Sequence, residues 1–270
     1  MPELPEVETT LRGIAPHVVG RTIREVDIRE RRLRWHIPES VDSLVGTKID
    51  SARRRGKYLL LETGKGTLIL HLGMSGSLRV LDPEFEWRKH DHFALRLDSG
   101  KELRFHDPRR FGCLLLCQED AGNHSLIASL GPEPLSDSFD ARYLHSRAKG
   151  RSTAIKLLVM NSKVVVGVGN IYACEALFLA GIRPTTAAGR VSLKRLTKLV
   201  DAIKEVLAQS IESGGTTLRD FLREDGQPGY FKQSLHVYDR EGESCLVCDA
   251  TIKRIVQSNR STFYCPRCQR

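Results

Sequence analysis

Three runs, TLILHL at residues 67–72, HFALRL at 92–97 and GCLLLC at 112–117, are short and mostly apolar. Turn signals such as TGKG (63–66) and DSGK (98–101) break the chain around them. Apolar runs of that length between glycine-containing turns fit strands and are too short for helices, and tight turns join neighbours that run antiparallel. The stretch from Arg21 to Cys117 therefore reads as an antiparallel sandwich or barrel.

Working outward, the pattern changes on both sides. Upstream, Val7, Leu11, Ile14 and Val18 recur every three or four residues, which predicts an amphipathic helix from Glu3 to about Val19, with Pro2 and Pro5 tolerated at its start. Glu3, Glu6 and Glu8 fall in its first turns, where the helix dipole favours negative charge, and on that ground alone they read as caps. Downstream, SLGPEPLSD (129–137) combines two prolines with a glycine and marks a domain boundary. Helices follow, the clearest from Ser192 to Ile211 with Leu193, Leu196, Leu199, Val200, Ile203, Val206 and Leu207 on one face; such a stripe is core. A polar, glycine-rich stretch, SGGTTLRDFLREDGQPGYFKQS (213–234), is too long for an ordinary connector and is either mobile or functional.

The chain ends in a cysteine module. Cys245, Cys248, Cys265 and Cys268 form two CxxC pairs separated by sixteen residues, the spacing of a four-thiolate zinc site. Such zinc is structural, with no open catalytic position, and closes a small hairpin that carries Lys253, Arg254 and Arg260. The other cysteines, Cys113, Cys117 and Cys174, lie in apolar surroundings and read as buried, inert thiols.

Length and composition bound the class. The 270 residues suffice for two modest domains and a metal-stapled module, about two-fifths are apolar, and no repeat or low-complexity tract is present. A net charge of +9 favours a polyanionic partner through phosphate neutralisation. No apolar run approaches the roughly 20 residues of a membrane span, and the N-terminus MPELPEVETT has no signal-peptide character, so a cytoplasmic location is expected.

Two further motifs read either way on their own. GVGNIY (167–172) leads into a helix beginning near Asn170, where backbone amides and the Asn amide are able to hold a phosphate or simply to cap the helix. HDPRRFG (106–112) places two arginines and an aromatic in a turn between strands, which suits either a loop that enters a base stack or an ordinary surface turn stiffened by Pro108.

PELPEVE at residues 2–8 resembles the N-terminal signature of formamidopyrimidine-DNA glycosylases. RRGKYLL around Lys57, HLGMSG from His71, KHDH from Lys89, HDPRRFG, TAIK ending at Lys156, GVGNIY, GGTTLRDF and the terminal cysteine pairs resemble that family's blocks in the same order, over essentially the whole chain. The resemblance implies an α+β multidomain fold: a catalytic β-sandwich with its N-terminal helix (1–130), a hinge (131–137), a helix-two-turns-helix domain (138–235) with a lesion loop at 213–234, and a four-cysteine zinc finger (236–270).

It also implies a bifunctional enzyme that excises oxidised purines, 8-oxoguanine and formamidopyrimidines, from double-stranded DNA and cleaves the strand by β,δ-elimination. Pro2, exposed once Met1 is removed, is the implied nucleophile and Glu3 the acid/base. A terminal amine titrates near about 8, against about 10.4 for lysine, so a useful fraction is nucleophilic at neutral pH. Lys57 resembles the proton donor of β-elimination and Arg260 that of δ-elimination. Lys57, His71, Asn170 and Arg260 resemble the residues that pinch the phosphates flanking the lesion. His90, Arg109, Arg151 and Lys156 are implied DNA contacts, and Met74, Arg109 and Phe111 match side chains that fill the hole left by the flipped nucleotide. Arg109 has donors suited to an orphaned cytosine. One structural zinc and a monomer are implied. Two other readings compete: an endonuclease VIII-like enzyme for oxidised pyrimidines, whose start usually reads PEGPE, and a non-enzymatic zinc-containing DNA-binding protein.

Overall fold

A computed structural model describes residues 2–214 and 235–270; Met1 and nearly all of the expected lesion loop lie outside the described residues. The described chain divides into two compact units, one over residues 2–129 and one over residues 130–212 and 235–270.

In the first unit, helix α1 (Leu4–Val18) is followed by strands β1 (Ile23–Ile28), β2 (Ile49–Arg55), β3 (Tyr58–Thr63), β4 (Gly66–His71), β5 (Ser77–Leu81), β6 (Asp91–Leu97), β7 (Glu102–His106) and β8 (Cys113–Cys117). They form two four-stranded antiparallel sheets, ordered β1-β6-β7-β5 and β2-β3-β4-β8. The sequence left sandwich and barrel open; two separate sheets make a sandwich. Alternate residues supply one core: Leu59, Leu61, Leu68, Leu70 and Leu114 from one sheet meet Leu78, Phe93, Leu95, Leu103 and Phe105 from the other. Phe93 and Phe105 stack with ring centroids 5.0 Å apart. Val7, Ile14 and Val18 of α1 join this core, which is why the predicted periodicity gives a helix within one residue of the expected ends. A short helix, α2 (Ser125–Ala128), closes the unit.

The second unit contains α3 (Ala141–Ala148), α4 (Ile155–Val159), α5 (Asn170–Leu179), α6 (Leu193–Glu212) and the hairpin β9 (Lys253–Gln257) and β10 (Arg260–Tyr264). Helix α5 is buried from Ile171 to Phe178, as a central helix must be. The Tyr172 hydroxyl and Ser210 Oγ, 2.6 Å apart, join it to α6. One charge lies among these apolar residues. Glu175 is buried and accepts from the backbone N–H groups of His236, Val237 and Tyr238 at 2.7–2.9 Å, which anchors the chain where it enters the cysteine module.

The cysteine module has more of a core than its composition suggests. Cys245, Ile252, Phe263 and Cys265 share an apolar cluster with Cys174 and Phe178 of α5, so the hairpin rests on the helices as well as on its thiols.

Candidate functional site

In the first unit, the three glutamates of α1 take different roles. Glu6 Oε2 accepts from the Glu3 backbone N–H at 2.8 Å, one arm of a capping box. Glu8 pairs with Arg54 at 2.8 Å and Arg12 at 3.0 Å, and these guanidiniums hold its carboxyl below the usual range despite its partial burial. Glu3 is the N-cap residue, 1% exposed and directly beside the buried Pro2. The Glu3 side chain accepts from the Glu6 backbone N–H in the other arm of that box, so burial and hydrogen bonding set Glu8 apart, and Glu3 differs from the equally buried Glu6 in its place next to Pro2.

Lys57 lies in the two-residue turn between β2 and β3, behind Gly56 at φ 58°, a backbone setting that favours glycine. Arg54 spans from α1 to this turn, donating to Glu8 and to the Gly56 carbonyl (2.9 Å). The sequence marks Glu8 only as a cap and does not single out Arg54. Arginines before a Gly-Lys turn are common surface features, so no local signal singles this one out.

His71 ends β4 between Tyr58 and Cys113, its ring 4.8 Å from the Tyr58 ring. Its Nδ1 accepts from the Gly73 N–H at 2.9 Å. Burial, with the positive charges of Lys57 and Arg34, lowers its pKa to about 4. His71 is therefore neutral at pH 7, with the proton on Nε2, and offers an uncharged donor. Burial pushes the neighbouring Cys113 thiol up to about 12, which makes it inert, as expected.

Gly73, the residue before Met74, and the HDPRRFG turn meet backbone to backbone. Gly73 has φ 67°, and a Cβ there would lie 2.5 Å from the Phe111 carbonyl carbon, so no other residue permits this approach. The turn itself hangs on Asp107, which is 0% exposed. Its Oδ1 accepts from Ser75 Oγ (2.9 Å) and the Arg109 N–H (3.2 Å), and its Oδ2 from the Gly112 N–H (2.8 Å). Asp107 was not singled out in the sequence, although an Asp before proline in a turn is a known signal for such bonding. Arg109 and Phe111 stand exposed, the guanidinium 5.1 Å from the ring centroid. His90 lines a cavity beside this turn together with Pro108 and Arg110.

In the second unit, the N-cap of α5 is Gly169, and Asn170 does not cap the helix with its side chain. Its Oδ1 accepts from Lys156 Nζ at 2.6 Å and its Nδ2 donates to the Ser261 carbonyl at 2.8 Å. Lys156 is 0% exposed and also donates to Thr262 Oγ1 at 2.6 Å. The ammonium thus stands behind Asn170 and links α4, α5 and β10. Arg260 follows a two-residue turn, Ser258 (φ 47°) and Asn259 (φ 58°), both in the left-handed region that type I′ hairpin turns require, and is exposed. Arg151 is also exposed.

The four cysteine sulfurs lie within 4.8 Å of one another, with Cys245–Cys268 at 3.9 Å and Cys248–Cys265 at 3.4 Å. A tetrahedral zinc with Zn–S of about 2.3 Å needs edges of about 3.8 Å, so the cluster fits one structural zinc with all four positions filled by thiolate.

Comparison with known proteins divides the chain in three. Family models match in three segments: the formamidopyrimidine-DNA glycosylase N-terminal domain over residues 1–114, the formamidopyrimidine-DNA glycosylase H2TH domain over 130–222, and a zinc finger found in FPG and IleRS over 242–270. The chain is 59% identical over 270 residues to a formamidopyrimidine-DNA glycosylase of Alcanivorax borkumensis, covering all of both proteins. It is 39% identical to the MutM (FPG) protein of Thermus thermophilus, with TM-score 0.90 over 99% of this chain and 98% of that one. It is 33% identical, with TM-score 0.93 and full coverage of both, to a Lactococcus lactis FPG variant in complex with Fapy-dG-containing DNA.

Proposed function

The chain belongs to the formamidopyrimidine-DNA glycosylase family, and from that premise we propose that Pro2, Glu3, Lys57 and Arg260 carry its chemistry on oxidised purines in duplex DNA. The enzyme is a DNA glycosylase of base excision repair, hydrolysing N-glycosyl bonds, with the AP lyase activity of its family.

The observation that supports this choice of residues is the sorting of the α1 carboxylates. Glu8 turns toward two arginines, and Glu3 and Glu6 are both buried in a reciprocal capping box; of these two, Glu3 is the one bonded in sequence to Pro2. In this reading the Pro2 nitrogen attacks C1′ and the bond to the damaged base breaks, the base leaving with the proton that the amine gives up; Glu3 as acid then protonates O4′ and the C1′–O4′ bond opens. The resulting iminium acidifies the C2′ proton, which Glu3 removes, and the 3′ phosphate leaves. Loss of the 5′ phosphate completes δ-elimination, with Lys57 and Arg260 donating protons to the leaving oxygens. Neutral His71 and Asn170 hold the flanking phosphates, while Met74, Arg109 and Phe111 fill the hole left by the extruded purine. His90 and Arg151 add backbone contacts, and Lys156 acts by positioning Asn170. Substrate class is supported by the Fapy-dG DNA bound to the L. lactis relative. No described helix is long and apolar enough to cross a membrane, and we place the enzyme in the cytoplasm as a monomer.

Borohydride trapping on an abasic duplex tests the nucleophile. Protein beginning at Pro2 should be trapped stoichiometrically through Pro2, and protein engineered to retain Met1 should fold, bind DNA and give no adduct, because an acylated proline nitrogen has no available lone pair. An adduct mapped to Lys57 in the Met1 form would overturn the proline assignment. Glu3→Gln should lose base excision, whereas Glu8→Gln should retain it.

A further inference from the structure

Beside the Pro108–Arg110 turn, the first unit has an open cavity of about 460 Å³ lined by Arg29, Trp87, Arg88, Lys89 and His90. We propose that it is a second phosphate site, which takes a phosphodiester of the duplex beyond the lesion with Arg29, Arg88 and Lys89 as its cations and Trp87 as its platform. This rests on the reading of the protein as an enzyme of duplex DNA.

Charge in the cavity is one-sided once the carboxylates are accounted for. Glu30 is held by Arg32 at 2.9 Å and Arg110 at 3.3 Å. The Asp91 side chain is buried and accepts from His106 Nδ1 at 2.8 Å and from the Arg88 N–H at 2.9 Å. Arg29, Arg88 and Lys89 are exposed, and among the described residues no carboxylate pairs with their side chains. Three unpaired cations around one cavity repel one another, and an anion there relieves that repulsion.

The site is also built before any ligand arrives. The Arg29 guanidinium lies 3.7 Å from the Trp87 ring centroid and that of Arg104 4.7 Å. Arg104 is buried, bonded to Glu102, and donates to the carbonyls of Phe85 (2.9 Å) and Glu86 (3.1 Å), so it fixes the segment that carries Trp87, Arg88 and Lys89. A guanidinium stacked on an indole keeps its planar N–H edge for a phosphate, and less side-chain freedom is lost on binding. The volume holds a phosphate with several waters, each about 30 Å³.

Position identifies the source of the phosphate. Pro108 and Arg110, which form one wall, flank Arg109 in the turn whose Arg109 and Phe111 are proposed to enter the base stack. A strand entered at that point carries its neighbouring phosphates past the residues on either side of the wedge.

The test measures affinity for an 8-oxoguanine duplex across salt concentrations. Arg29→Ala should reduce the slope of log K against log salt by about one, and the Arg88→Gln, Lys89→Gln double variant by about two. Glutamine keeps most of the side-chain length, so its effect reports charge and not folding. Duplexes with single neutral methylphosphonates then locate the contact: one position should weaken the parent severalfold and leave the double variant unaffected. Parental slopes in these variants, or a loss spread equally over all positions, would overturn the proposal. If the parent fails to excise 8-oxoguanine or formamidopyrimidine while the slopes still fall, the enzymatic reading fails and the phosphate site stands.

Discussion

The β7–β8 turn and the β9–β10 hairpin each present an exposed arginine, Arg109 and Arg260, yet different chemistry holds them. Beneath Arg109 lie Asp107, with its three hydrogen bonds, and the sandwich core of Phe93, Phe105 and Leu114. Beneath Arg260 lie four thiolates, a small apolar cluster shared with α5, and the Lys156–Asn170 link to Ser261 and Thr262. A turn on a large core is fixed by neighbours that fold with it. A hairpin that buries little needs a metal and a few buried polar contacts, and those are separable from the rest of the molecule.

Cys248→Ser should break the comparison most sharply. The hairpin should lose zinc and unfold, duplex affinity should fall, and the unfolding transition of the sandwich should persist; full DNA affinity with one bound zinc would contradict this. On the other side, Asp107→Ala leaves the buried Ser75 hydroxyl and Gly112 N–H without their acceptor, at about 1–3 kcal/mol each, so urea unfolding should show a loss of about 4 kcal/mol. A loss below about 1 kcal/mol would show that the turn is held without Asp107.

His71 gives the sandwich a pH dependence. Its folded pKa, about 4, is depressed, so its contribution is complete above the unfolded value of about 6.5. As pH falls from there toward 4, the unfolded chain takes the proton first and stability drops, by no more than about 3 kcal/mol. Denaturant titrations at pH 7 and pH 4.5 on parent and His71→Gln measure it; equal pH slopes in the two proteins would remove His71 as the cause.

Lys156→Met removes the donor to Asn170 and Thr262 and should destabilise the second unit by about 2 kcal/mol. Because the ammonium is buried, DNA affinity should fall with no change in salt slope, and a slope reduced by one would make Lys156 a phosphate contact after all. Smallest in stability is Arg109→Ala, within about 0.5 kcal/mol, since the side chain is exposed. Excision opposite cytosine should nonetheless drop and discrimination among opposite bases narrow; unchanged discrimination would remove Arg109 from reading the orphan base.

What the sequence determined by itself is what local spacing encodes. Short apolar runs between turn residues specified the strands β4, β6 and β8, the three- and four-residue recurrence specified α1 and α6, and two CxxC pairs specified the zinc site. Motif order specified the family. The tertiary structure alone decided where the α1 carboxylates Glu6 and Glu8 turn, that Lys156 is buried, that Asn170 bonds sideways instead of capping α5, and that His71 is a neutral donor. Each of these depends on a partner or an environment that spacing does not encode. Asp107 finds Ser75 across 32 residues, Arg54 finds Glu8 across 46, and Lys156 finds Thr262 across 106. Periodicity records which face of an element is buried. The charge, tautomer and hydrogen-bond partner of a buried polar group are set by whatever the fold packs against that face.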